Sequence, residues 1–198
     1  MKHLLLGTTN PAKVNFVRTY LASLPIKVLS LKDLNIDLDV AEEGASPEEN
    51  ARIKAQAYFS VARISTLAID AGLHIEKFAE EKQPGIFVRR LRSTGQPASD
   101  EALLDYYARE LDDVGGRSPG TWDVSVALMV SDSWVFVRTF ELRVLFTAQR
   151  STVRIPGAPL SSLMIDPASG CYFAELPTAT RPDAGPIRDF VQQHFEDV

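Results

Sequence analysis

Two lysines, a pair of glutamates and an aspartate lie at spacings that could hold a phosphate chain and a metal ion. The first group is Thr8, Asn10 and Lys13. A short apolar run stops just before it and a helical pattern opens at Pro11, so the N–H groups and the positive end of a helix would face an anion there. The same residues also suit a plain cap, with Asn10 closing the helix and Lys13 in solvent. The second group is Glu42 and Glu43 with Asn50 and Lys54. Asn50 and Lys54 are four apart and share one helix face, and a carboxylate beside a lysine and an amide can hold metal and phosphate together. A solvated acidic loop with an exposed lysine is the alternative. The third is Asp70, after Leu67, Ala68 and Ile69, at the expected carboxyl end of a buried strand. That edge is where open α/β sheets bind ligands, although an acid beside Gly72 can also simply terminate the strand.

The elements that must position these residues are legible in outline. Leu4, Leu5 and Leu6 form a continuous apolar run that suits a strand covered on both faces. Asn10 and Pro11 then read as N-cap and first helical residue, with Val14, Val17 and Leu21 at helical spacing. A second strand is expected near Ile26 to Leu29. Ser46, Pro47, Glu48 and Glu49 form a capping box that opens a helix running to about Ala62. Leu67 to Ile69 predict a short strand stopped at Asp70, Ala71 and Gly72. Ser99 to Leu111 reads as a helix with Leu103, Leu104, Tyr107 and Leu111 on one side. From Trp122 the period becomes two, with a turn at Ser131 and Asp132, which predicts a meander of antiparallel strands to Phe146. Ile187, Phe190, Val191 and His194 mark a closing helix after Pro186.

Bulk properties narrow the function classes. The 198 residues are 45% hydrophobic and 24% charged, the balance of a globular protein with one core. A net charge of −5 repels a phosphate polymer on average, which argues for a small ligand and against nucleic acid. The single Cys171 excludes an internal disulfide framework and reads as cytoplasmic. The apolar run at Leu4 is too short for a signal or a membrane span, so no membrane role is expected. The expected fold class is therefore α/β with a mixed sheet, one domain over residues 1–198, with two lobes and a cleft between them.

Taken together the motifs resemble the inosine triphosphate pyrophosphatases, enzymes that remove non-standard purine nucleoside triphosphates. The resemblance lies in the order and spacing of Thr8-Thr9-Asn10-Pro11-Ala12-Lys13, Glu42-Glu43-Gly44, Glu49-Asn50-Ala51-Arg52-Ile53-Lys54-Ala55, Asp70-Ala71-Gly72-Leu73 and Pro84-Gly85-Ile86-Phe87. It covers about the first ninety residues well and the rest loosely. It implies cleavage of a nucleoside triphosphate to the monophosphate and pyrophosphate, an elongated α/β fold with a central cleft, and a homodimer. Thr8, Asn10, Lys13 and Lys54 would grip the triphosphate. Asn50, Gly72, Arg90 and Asp166 would add substrate contacts. Glu42 and Asp70 would hold Mg2+, and Asp70 would act on the attacking water.

Several positions depart from that pattern. The family commonly has two adjacent acids where this chain has Ile69-Asp70, a serine or threonine at Ala71, and a glutamate at Phe16. The glycine- and aromatic-rich run before Asp-Pro is reduced to Leu163-Met164-Ile165-Asp166-Pro167, and no Ser-His-Arg stands near Arg181 or Arg188. These losses leave open a catalytically weak nucleotide-binding relative that acts as sensor or partner subunit, or an interaction module that keeps only the fold. His3, His74 and His194 lack metal spacing, Arg89, Arg90 and Arg92 form a small basic cluster, and Trp122 and Trp134 read as core or interface residues.

Overall fold

The computed structural model describes residues 2–90 and 96–197; Arg92 lies outside the described residues. The element order is β1 (Lys2–Leu6), α1 (Pro11–Tyr20), β2 (Ile26–Ser30), α2 (Pro47–Ala62), β3 (Thr66–Ile75), α3 (Asp100–Asp113), β4 (Arg117–Ser131), β5 (Trp134–Thr147), β6 (Met164–Ile165) and α4 (Ala184–Gln193). The sheet is six-stranded in the order β2-β1-β3-β4-β5-β6. β1 runs parallel to β2 on one side and to β3 on the other, each connection passing through a helix. β6 pairs antiparallel with the end of β5. The fold is thus the mixed α/β class expected.

The chain divides into two compact units. One comprises Met1–Ala71, Val124–Phe140 and Thr178–Val198, the other Gly72–Asp123 and Glu141–Pro177. In the first, Leu4, Leu5 and Leu6 are at most 1% exposed, as a strand with neighbours on both faces requires. The caps hold as read. The Asn10 side chain accepts from the N–H groups of Ala12 and Lys13, and the Ser46 hydroxyl accepts from Glu49 N–H. Glu49 reaches back to Ala45 N–H at 2.7 Å, one residue further than an ordinary capping box. Arg63, with φ of 53°, ends α2 in the left-handed conformation. In the second unit α3 lays Leu103, Leu104, Tyr107 and Leu111 into a core with Phe146, Leu160, Leu163 and Phe173.

Three boundaries differ from the sequence reading. β3 does not stop at Asp70 but continues to Ile75, because its far half finds partners distant in sequence. Leu73 exchanges backbone hydrogen bonds with Gly85 at 2.9 and 3.0 Å, and the Gln83 side chain donates to the Ile75 carbonyl and accepts from its N–H. β4 begins at Arg117 rather than Trp122, and it joins β5 through Asp132 and Ser133. α4 begins at Ala184, before Pro186, since a proline in the first helical turn removes no hydrogen bond that the helix uses. Trp134 is 60% exposed and is not a core residue.

Candidate active site

The site grows from the carboxyl end of the parallel pair β1 and β3. Their register closes at Leu6 and Leu67, after which β1 turns through Gly7, Thr8 and Thr9 into α1 while β3 runs on without β1 through Asp70. Asp70 therefore lies within β3 and not at its end, yet it still occupies the ligand-binding edge of the paired strands. α2 lies alongside. Its residues 50 and 54, one turn apart, face the same point.

What converges there is a cluster built around one ammonium. Lys54 Nζ lies 2.5 Å from Asp70 Oδ1 and 2.9 Å from Glu42 Oε1, and it donates to the Ile69 carbonyl at 3.3 Å. Lys13 Nζ donates to that same carbonyl at 2.9 Å. Asn50 completes the frame, accepting from Gly44 N–H at 2.8 Å on Oδ1, which turns its Nδ2 toward Asp70 Oδ2 at 3.5 Å. Asn50, Lys54 and Asp70 are 2%, 7% and 6% exposed, while the Glu42 side chain is 46% exposed. Two desolvated charges are stable only when paired and hydrogen-bonded, and here both conditions are met.

The loop that carries Glu42 is pinned by two further residues. Tyr58, one turn beyond Lys54 on α2, donates its hydroxyl to the Leu38 carbonyl at 3.1 Å. Burial raises the Tyr58 pKa, and the charges of Asp39 and Glu42 add to the effect. Gly44 packs so tightly on the start of α2 that a Cβ would stand 2.8 Å from Asn50 Oδ1 and 2.7 Å from Glu49 Cβ. The Glu42-Glu43-Gly44 run thus combines the carboxylate that pairs with Lys54 with the glycine that lets its loop approach the helix.

The other expected contacts sit differently. The Thr8 hydroxyl accepts from Asn10 N–H at 3.1 Å, and Asn10 spends its oxygen on the cap, so both stabilise the turn that presents Lys13. Gly72 is buried in β3, in the second unit. Arg90, also in the second unit, is exposed with its guanidinium 5.1 Å from the Phe87 ring centre, and Arg89 pairs with Asp100 at 2.8 Å. Asp166 closes its own turn, accepting from the N–H groups of Ala168 and Ser169 and from the Ser169 hydroxyl at 2.6 Å. The Ser169 hydroxyl is the main cause of a pKa below the usual carboxylate range; the two N–H groups add to it and outweigh burial.

A carboxyl with a lowered folded pKa stabilises above its unfolded value and loses that contribution as pH falls through the folded one. Asp166→Asn is accordingly expected to cost about 1–3 kcal/mol of stability at neutral pH. The deficit should shrink as denaturant melts are taken into the acid range, and a pH-independent deficit would assign the loss to packing.

Two features escape reading by residue type. One is the Ile69 carbonyl, a backbone acceptor shared by both lysines. The other is Arg181, whose guanidinium lies 4.2 Å from the Phe16 ring centre and 3.7 Å from Asp183, itself accepting from the Tyr20 hydroxyl at 3.0 Å. Burial pushes the Asp183 pKa up, against the opposing charge of Arg181. Among the described residues no group of three or more His, Cys, Asp or Glu side chains could hold a metal. Glu42 and Asp70 present two carboxylate oxygens to the Lys54 ammonium, hard donors of a kind that would also fit a divalent cation whose shell phosphate oxygens and water complete.

The sequence profile of the Ham1 family matches residues 4–143. A dITP/XTP pyrophosphatase of Xanthomonas campestris is 31% identical over 191 residues, covering 91% of this chain and 89% of that protein. Another, of Oceanobacillus iheyensis, is 32% identical over 115 residues, 58% of this chain and 56% of that protein's length. Among solved structures, the Ham1 protein of Coxiella burnetii superposes with a TM-score of 0.76 over the full length of both chains at 20% identity. That of Staphylococcus aureus gives 0.71 over 98% and 100% of the two chains at 21% identity. The structural likeness shows the fold, the sequence matches show descent, and the chain belongs to the Ham1 family.

Proposed function

We propose that this protein hydrolyses purine nucleoside triphosphates, non-standard ones among them, to the nucleoside monophosphate and pyrophosphate with Mg2+. The observation that carries the reading is the cluster of Lys13, Lys54, Glu42 and Asp70 at the carboxyl end of β1 and β3. Mg2+ bound by Glu42 and Asp70 would neutralise phosphate charge and polarise the phosphoryl oxygens. The lysines take the remaining charge of the phosphate chain, since the first-turn N–H groups of α1 are already used by Asn10. Asp70, oriented by Asn50, aligns a water and accepts its proton as the oxygen attacks the α-phosphorus. The bond from that phosphorus to the bridging oxygen breaks, and pyrophosphate leaves with the electron pair.

In this reading the whole chain acts as one functional domain, cytoplasmic by its single cysteine and a homodimer as the resemblance implies. No described helix is long and apolar enough to cross a membrane. The test is a pyrophosphate-release screen across ordinary, deaminated and oxidised triphosphates with Mg2+. The isoleucine at position 69 favours one second reading, a relative that binds nucleotides without turnover and serves as sensor or partner subunit. Thermal stabilisation by nucleotide and Mg2+ without pyrophosphate release would select it.

The lysines provide a second check. Lys13→Ala and Lys54→Ala are expected to weaken binding of a non-hydrolysable triphosphate by roughly tenfold to a hundredfold, the range of one lost charge-assisted hydrogen bond. Monophosphate binding should change far less, because these charges meet the β and γ phosphates. Equal losses for both ligands, measured by calorimetry, would place the lysines elsewhere.

A further inference from the structure

The Lys54 ammonium stands where a metal ion would have to stand. An ammonium has three donors and no acceptor, and this one has three acceptors around it: Glu42 at 2.9 Å, Asp70 at 2.5 Å and the Ile69 carbonyl at 3.3 Å. Nothing remains for a phosphate oxygen. The two carboxylate oxygens it holds are the pair that reads as the ligands of the divalent ion. Lys54 takes one oxygen of each carboxylate and part of their charge, so it competes with a divalent ion for the pair. Lys54 offsets part of the charge of the two carboxylates it holds, Lys13 stands on the neighbouring Ile69 carbonyl, and the residue before Asp70 is an isoleucine and not a second acid. A free divalent ion approaching the pair therefore meets the Lys54 charge between the two carboxylates.

We propose that Lys54 is an internal competitor of the divalent metal, closing Glu42 and Asp70 against the free ion and releasing them when a triphosphate offers its Nζ other oxygens. Metal and triphosphate then bind together rather than one after the other. The geometry allows the exchange. The Glu42 side chain is 46% exposed and can follow a change of partner, and the Ile69 carbonyl keeps the Lys13 ammonium when Lys54 departs. By linkage, a triphosphate that draws Lys54 away strengthens metal binding, and the metal strengthens triphosphate binding by the same factor. The inference rests on the reading of Glu42 and Asp70 as metal ligands.

The experiment is a calorimetric titration with MnCl2, without nucleotide, of the wild-type protein, Lys54→Met and the double variant Lys54→Met, Asp70→Asn. The single variant is expected to bind Mn2+ more tightly than wild type by roughly tenfold or more, and the double variant to lose the gain. A single variant that binds no more tightly than wild type overturns the proposal, and so does a gain that survives in the double variant. If Lys54→Met does not fold without metal, the titration is followed by circular dichroism. Recovery of the native spectrum with Mn2+ supports the competition, and no recovery overturns it. Pyrophosphate release by wild type with Mg2+, measured alongside, separates the two readings. Turnover with unchanged metal affinity of Lys54→Met removes only the competitor role, whereas tightened affinity without turnover removes only the hydrolase.

Discussion

Asp70→Asn is expected to lower kcat for triphosphate hydrolysis by roughly a thousandfold, within the range of about 10²–10⁴ for loss of a positioned general base. The amide keeps the volume and one acceptor oxygen but cannot take a proton from water at neutral pH. The fold should survive. Lys54 retains Glu42 at 2.9 Å and the Ile69 carbonyl, so its charge is not left buried without a partner. The stability loss should stay below the roughly 3–5 kcal/mol that follows removal of the only partner of a buried charge. Two measurements together decide the matter, a thermal melt by circular dichroism and pyrophosphate release at saturating substrate. A variant that melts like wild type and turns over like wild type would move the base to another residue. A variant that fails to fold would show instead that Asp70 is a structural counter-ion of Lys54.

Part of this site was legible because side-chain spacing carries information that survives folding. The four-residue interval from Asn50 to Lys54 on a well-capped helix can place them only on one face, and the turn at Thr8 to Asn10 can open only a helix. These constraints are local, and the structure meets them. The end of β3 was not legible for the opposite reason. Asp70-Ala71-Gly72 reads as a stop by composition, but the strand is extended by Gly85 and by the side chain of Gln83, partners twelve and eight residues away whose approach no local pattern announces. The same limit hid the Ile69 carbonyl, since residue type says nothing of where a backbone oxygen points. Tyr58 could have been found, because it continues the Asn50 and Lys54 face by another four residues. Arg181 could not. Its stacking on Phe16 joins positions 165 residues apart, and neither residue carries a signal for the other.

Discrimination among purine bases is expected to be weak, with kcat/KM ratios between inosine, xanthosine, guanosine and adenosine triphosphates of no more than about two-hundredfold. A site that reads a base by buried donors and acceptors rejects the wrong one by roughly 10⁴–10⁵, because the wrong base leaves polar groups unpaired. This chain lacks such readers at the positions where its relatives' pattern would put them. Leu163 is fully buried in the apolar core of its own unit and Met164 is 5% exposed; their side chains offer hydrocarbon and a thioether. Asp166 spends its carboxylate on Ala168 and Ser169. Residues 178–181 read Thr-Ala-Thr-Arg, and the guanidinium that closes them is engaged with Phe16 and Asp183. What remains is apolar contact, worth about 1–3 kcal/mol between close analogues. Steady-state kinetics on the four triphosphates at one Mg2+ concentration test this directly. A preference for the inosine and xanthosine forms beyond about a thousandfold is more than apolar contact can supply, and it would require that backbone groups or the Arg181 guanidinium, released from Asp183, read the purine edge.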